Sequence, residues 1–193
     1  APFGVACGFS GGIDSLYALY TRLPGTAQSG SERLTHGLFI DGFDIFLHQP
    51  HTYQNLYHKY SLFFEQLGLQ LLTVRTNVYS FTQFRVDWMT ANCPALVGTA
   101  LTFGRLLGQV FKPGEQEVKR GKVIKPAFYA VPLLSTESMQ MTIDQAEMLR
   151  FEKLKKISGW WGAKQNLRVC NNPVKTEDGT ACYHCDKCLN TLS

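Results

Sequence analysis

The chain has 193 residues, 45% of them hydrophobic, enough for one α/β domain with a proper core. No apolar run approaches the length of a membrane span, so neither a membrane segment nor a secretory signal is expected. A formal charge of +4 suits an anionic nucleotide but is too small to argue for nucleic acid, which is not expected as a partner. Gly4 to Phe9 is a short apolar run of the kind that forms a buried parallel strand. Phe9-Ser10-Gly11-Gly12-Ile13-Asp14-Ser15 follows, and Leu16 to Leu23 reads as a helix that stops at Pro24-Gly25. Strand, Ser-Gly-Gly turn and helix make one device: two glycines let the backbone approach an oxyanion, and the first helix amides point at it. Asp14 and Ser15 fall in the first turn, where a carboxylate and a hydroxyl cap the helix or meet a metal-nucleotide. No Gly-Lys-Ser/Thr follows, so this is not a Walker A loop. The plainer reading is a glycine-rich turn that happens to carry Ser and Asp.

Thr26 to Arg33 is polar and loop-like, His36 to Ile40 is a second apolar run, and Asp41-Gly42-Phe43-Asp44 ends it. Thr52 to Leu67 has helical spacing, with Leu56, Tyr60, Phe63 and Leu67 on one face and Gly68 closing it. Leu69 to Val74 is a third strand, with Arg75 to Asn77 at its carboxyl end. Alternating strands and helices predict a parallel sheet with right-handed crossovers, whose ligands bind beyond the carboxyl ends of the strands. The Ser-Gly-Gly turn, Asp41 to Asp44 and Arg75 to Asn77 all fall at that edge. Pro94 to Leu107 reads as a helix with Pro94 in its first turn and Cys93 just before it, either an activated thiolate or a packed cysteine. Cys7 reads as core. Gly108 to Lys112 is a fourth strand, and the charged stretch from Lys112 to Lys125 reads as a solvated loop. Its functional alternative is a lid supplied with Lys119, Arg120, Lys122 or Lys125. A long helix is predicted from about Thr142 to Ile157, with Ile143, Ala146, Leu154 and Ile157 on one face and Arg150 within that stripe. An arginine there needs an anionic partner. Glu147 supplies a structural one, and a substrate carboxylate or phosphate is the alternative.

Cys170, Cys182, Cys185 and Cys188 end the pattern, the last three in a Cys-x2-Cys-x2-Cys core. Four thiolates suit a closed, tetrahedral, structural zinc, with an iron–sulfur cluster as the alternative. Clustering of this kind favours a reducing, cytoplasmic setting over secreted disulfides. A metal here would staple the tail to Leu167-Arg168-Val169 and build the far wall of the site.

The Ser-Gly-Gly-x-Asp-Ser sequence from Ser10 to Ser15 resembles the pyrophosphate loop of the PP-loop ATP pyrophosphatases. Loop and cysteine knuckle together resemble the 7-cyano-7-deazaguanine synthase-like proteins of the queuosine type. The resemblance implies a Rossmann-like parallel sheet of the adenine nucleotide alpha hydrolase-like kind, with a C-terminal zinc knuckle. It implies an ATP-binding domain over residues 1–166 and a knuckle over 167–193 packed on it. Phe9, Ser10, Gly11, Gly12, Ile13, Asp14 and Ser15 would hold the phosphates, with Phe39, Ile40 and Asp41 beside the adenine. Ser10, Asp14 and Ser15 would serve the reaction, joined by Arg150 if it is the substrate and not Glu147 that it meets, and Cys170, Cys182, Cys185 and Cys188 would bind zinc. The middle departs from the synthase: Asp41 to Asp44 stands where it has Tyr-Gly-Gln, Cys93-Pro94-Ala95-Leu96 lacks an arginine, and Pro132 to Ser138 lacks a lysine. These are substrate-side positions, and some synthase-like relatives act on protein targets in larger complexes.

The implied activity is ATP- and Mg2+-dependent adenylation of a carboxylate, with release of pyrophosphate and then of AMP as ammonia attacks. Amide or nitrile formation on a small 7-deazaguanine-like acid is the first expectation, and a homodimer stays open. Two alternatives remain: sulfur transfer to tRNA or a small molecule with Cys93 as carrier, and a nucleotide-binding subunit without turnover.

Overall fold

The computed structural model describes residues 3–23, 25–26, 32–82, 85–115, 118–119, 122–123, 125–170 and 180–192. Its elements run β1 (Gly4–Gly8), α1 (Ile13–Thr21), β2 (His36–Asp41), α2 (Pro50–Gln66) and β3 (Gln70–Arg75). They continue with α3 (Val78–Thr82), α4 (Trp88–Leu101), β4 (Leu107–Pro113), β5 (Val118–Lys119), β6 (Lys122–Val123) and α5 (Ala127–Leu133). The last are β7 (Gln140–Asp144), α6 (Arg150–Ile157), α7 (Trp161–Asn166) and α8 (Asp186–Leu192).

Five strands form a parallel sheet in the order β3-β2-β1-β4-β7. A parallel sheet needs cover on both faces, and the strand sequences supply an apolar side chain to each in turn. Cys7, Phe9, Phe39 and Phe111 pack toward α1 and α2, with Leu16, Tyr17, Leu56, Tyr60 and Ile157 in the same core. Ala6, Leu38, Ile40, Val110 and Met141 pack the other way, against Cys93, Val97 and Ala100 of α4 and Val131 of α5. Each fully buried leucine such as Leu16 or Leu38 contributes roughly 2 kcal/mol of hydrophobic burial. The architecture is α/β and Rossmann-like. β1 lies at the centre, β2 and β3 build outward on one side, and β4 starts the other side. The strand order therefore reverses between β1 and β4, the place where such sheets open a crevice beyond their carboxyl ends. Among the described residues no helix is long and apolar enough to cross a membrane.

Three predicted elements are corrected by the structure, two of them by strand pairing. The helix expected from Thr142 to Ile157 is two elements, since Gln140–Asp144 hydrogen-bonds to β4 as an edge strand and α6 starts only at Arg150. Arg150 is accordingly at the first position of α6, 43% exposed in its side chain, and not inside an apolar stripe. α4 begins at Trp88, so Pro94 lies inside the helix and Cys93 is not at its start. The charged stretch after Lys112 is not a plain loop: β4 extends to Pro113, and β5 and β6 pair antiparallel through Val118–Val123 and Lys119–Lys122. Arg120 lies outside the described residues.

α1 is held at both ends by partners far along the chain. Near its carboxyl end Arg22 gives two hydrogen bonds to the buried Asp144 carboxylate, at 2.7 and 3.3 Å. In its first turn Asp14 accepts a hydrogen bond from Lys153 of α6 at 3.0 Å.

Candidate functional site

The turn after β1 is built from its own hydroxyls and amides. The Ser10 amide donates to Ser15 Oγ at 3.3 Å, and Ser15 Oγ donates to the Gly12 carbonyl at 3.0 Å. The Gly12 amide donates to Ser10 Oγ at 3.3 Å, while Leu16 N–H already returns to the Gly12 carbonyl as the first helical bond. Gly11 has φ +74°, and a Cβ there would overlap the Tyr60 hydroxyl. Tyr60 is fully buried and stands edge-on to Phe9 and Phe39, with ring centroids 5.0 and 5.3 Å away. The aromatic layer beneath the turn thus demands glycine at this position. The first amides of α1 lack acceptors within the helix and carry the positive end of its dipole.

A cavity of about 500 Å3 lies over this turn at the crevice between β1 and β4. Phe9, Ser10, Gly12, Asp14 and Ser15 form its floor, and Phe39 and Ile40 from the end of β2 form one side. Gly11 underlies the turn instead, Ile13 is buried in the core, and Asp41 ion-pairs with Arg75 at 3.3 Å. Burial raises the Asp41 carboxyl above its ordinary value, and Arg75 opposes that shift. Phe43, Trp88, Asn92 and Leu96 line the opposite side, with Phe43 and Trp88 in edge contact at 5.1 Å. Cys93 is buried, its thiol donates to Asn92 Oδ1 at 3.0 Å, and it is not among the residues that line the cavity.

Lys112, Arg150, Arg168 and Lys187 line the cavity together with Asp14, Asp44 and Glu115. Lys153 stands behind Asp14, so basic groups are in excess and the site suits an anion. Arg150 Nη1 lies 3.9 Å from Asp14 Oδ2, and Arg168 Nη1 lies 3.8 Å from Asp44 Oδ2. Glu115 faces Lys112 at 3.9 Å and Lys125 at 3.3 Å. Burial pushes the Glu115 carboxyl up, but the two lysines outweigh it and hold the group below its usual range. Burial lowers the Lys187 ammonium, assisted by Arg150, while Asp44 opposes.

The C-terminal wall comes from the cysteine segment. Cys170, Cys182, Cys185 and Cys188 bring their Sγ atoms within 4.8 Å of one another, so they could hold a metal such as zinc. Thiolates at zinc distance in a tetrahedron stand about 3.8 Å apart, and Cys182 and Cys188 already do so at 3.8 Å. The Cys188 amide donates to Cys185 Sγ at 3.4 Å. Amides of His184 and Cys185 lower the Cys182 thiol to about 6, whereas burial raises Cys188 to about 11. The donor set fits the ion. The segment reaches the phosphate turn directly, since the Arg168 amide donates to the Gly11 carbonyl at 2.8 Å. The next two amides, of Val169 and Cys170, both donate to the Thr180 carbonyl.

Sequence reasoning reached the turn and the cysteines but missed Lys153, Trp88 and Glu115 as neighbours of the site. Lys153 carries no local signal, being a lysine on an amphipathic helix. Arg168 and Lys187 were findable, because one stands two residues before Cys170 and the other between Cys185 and Cys188. No protein-family model, curated protein or solved structure matches this chain.

Proposed function

We propose that this protein is a PP-loop ATP pyrophosphatase that adenylates a substrate carboxylate. The observation that carries the reading is the Ser-Gly-Gly turn at the sheet's reversal point, opening on a cavity with an excess of basic side chains. A carboxylate oxygen attacks the α phosphorus, the bond to the bridging oxygen breaks, and pyrophosphate leaves. Helix amides, Ser10 and Ser15 hold that leaving group in a turn that is already closed by its own hydrogen bonds, so little reorganisation accompanies the step. Arg150 and Lys112 offset the charge that gathers on the departing oxygens. Ammonia then attacks the acyl carbon, loses a proton, and expels AMP to leave the amide.

Mg2+ enters this reading on the nucleotide's own phosphates, where it lowers their charge. Each carboxylate that lines the cavity already faces a basic side chain. Zinc at the four cysteines holds the wall that carries Arg168 and Lys187 and takes no part in the bond changes. Adenine against Phe39 and Ile40 leaves the side of Phe43, Trp88 and Asn92 for the acid, and a 7-deazaguanine-like acid is the first substrate to try.

The test is ATP turnover by metal-replete protein, separating AMP from ADP, with that acid and ammonium present or absent. Acid-dependent AMP and pyrophosphate support the reading in full. AMP that ignores this acid keeps the chemistry and rejects the substrate. ATP binding without AMP under any condition overturns the enzyme in favour of a nucleotide-binding subunit.

A further inference from the structure

Asp14 in the first turn of α1 is a candidate either to cap the helix or to meet a metal-nucleotide, and its surroundings disagree with contact to the metal. Both carboxylate oxygens face cations, Oδ1 taking a hydrogen bond from Lys153 Nζ at 3.0 Å and Oδ2 lying 3.9 Å from Arg150. The Lys153 side chain is 1% exposed and also donates to the Gly114 carbonyl just beyond β4. A buried ammonium removed from its carboxylate is costly, so Lys153 keeps Oδ1, and a metal approaching Oδ2 would meet the Arg150 guanidinium, a like charge. Arg150 and Lys153 occupy the first and fourth positions of α6, where the helix dipole disfavours cations. Their placement is explained by Asp14 across the turn and, for the half-exposed Arg150, by an anion in the cavity. The guanidinium has five donors, and its long contact with Asp14 leaves the fork directed by that carboxylate yet available to a ligand.

We propose that Asp14 and Lys153 form an internal anchor that orients Arg150 toward the nucleotide phosphates, and that Asp14 is not a divalent-metal ligand. Asp14 and Lys153 are then positioning residues, Arg150 touches the ligand, and the metal-nucleotide brings its own cation. This rests on the nucleotide reading above.

The experiment is calorimetric titration of the full chain with ATP, once in EDTA and once in excess Mg2+. It compares wild type, Asp14→Asn, Lys153→Met, Arg150→Gln and the double variant of Asp14→Asn with Arg150→Gln. The quantity read is the ratio of the two affinities, which a general loss of fold does not move in one direction. Asp14→Asn is expected to keep the wild-type ratio within about twofold, whereas a ratio falling toward one overturns the proposal because it makes Asp14 the metal's ligand. Lys153→Met is expected to widen the ratio by about tenfold, since the freed oxygen repels phosphate without metal and accepts the ion with it. An unchanged ratio in Lys153→Met overturns the anchor. Arg150→Gln should weaken binding about tenfold in both conditions in the wild-type background, and less than about threefold beside Asp14→Asn; additive losses overturn the orienting role. If Lys153→Met does not fold, the Asp14→Asn and Arg150→Gln arms decide the matter. Wild-type protein that binds ATP in neither condition overturns the nucleotide reading and this one with it, whereas binding with an unmoved Lys153→Met ratio overturns only the anchor.

Discussion

The phosphate turn and the cysteine segment are both short motifs, yet they hold their shape by opposite means. Ser10 to Ser15 is a backbone device, set by β1 behind it, α1 ahead of it and the buried Tyr60 beneath Gly11. Its geometry is complete from the protein's own hydrogen bonds. Residues 180–192 have a small core, Cys182 and Cys188 packed with Val169 and Cys170, and with Cys185 these cysteines form a cluster that could hold a metal. One region is pre-organised by the sheet, and the other has four thiols placed where a metal ion could close it. The Arg168 amide on the Gly11 carbonyl joins them, so a change in the second reaches the first through that hydrogen bond and the side chains around it.

Metal removal is the strongest way to break this contrast. A structural zinc contributes on the order of 10 kcal/mol to the segment it closes. Cys185→Ala or chelation is therefore expected to open residues 180–192 while the amides of β1, β2 and β4 stay protected in hydrogen exchange. Protection at Arg168 should fall with the cysteines, and a metal-free variant with all of it intact would show that the segment needs no ion. The turn breaks differently. Ser10→Ala should lower AMP formation about 100-fold, the range for loss of one donor to a developing anion, with the melting curve nearly unmoved. Turnover at the wild-type rate would refute the loop's role.

Gly11→Ala sharpens the comparison from the folding side. It combines a left-handed backbone with overlap on Tyr60, and a cost of about 3 kcal/mol in urea unfolding is expected. A loss under about 0.5 kcal/mol, the range of surface substitutions, would mean that the aromatic layer yields. The smallest effect lies away from both regions. His36, beneath β1 at Gly4, has its imidazole pushed below the ordinary 6.5 by burial, against a hydrogen bond with Gln70. A lowered folded value favours the neutral form, so its contribution is complete above pH 6.5 and is lost as pH falls through the folded value. The urea midpoint should drop less between pH 8 and pH 5 in His36→Gln than in wild type.

How far the sequence could be read follows from the range of the interactions. β1, β2, α2 and β3 were legible because apolar runs and helical spacing are local, and Pro50 adds a helix start that was read two residues late, at Thr52. Thr142 to Asp144 reads as helix because Ile143 and Ala146 satisfy a helical stripe once Leu154 and Ile157 of the following helix are joined to them. Pairing with β4, some thirty residues away, decided for a strand. Arg150 stands out in the sequence as a cation inside an apolar stripe, with Glu147 as its structural partner, but it lies at the exposed start of α6. The carboxylate it faces belongs to Asp14, at the other end of the chain.

By itself the sequence determined the Ser-Gly-Gly turn, the alternation that makes a parallel sheet, and the four cysteines. Each depends on residue types at fixed short spacing, which the backbone turns into geometry without help. Only the tertiary structure decided that Lys153 meets Asp14 and that Arg22 meets Asp144. Those are encounters between charges brought together by folding, and no local pattern encodes them. Burial selects the pairs, because an ammonium or a carboxylate withdrawn from water needs its opposite within reach.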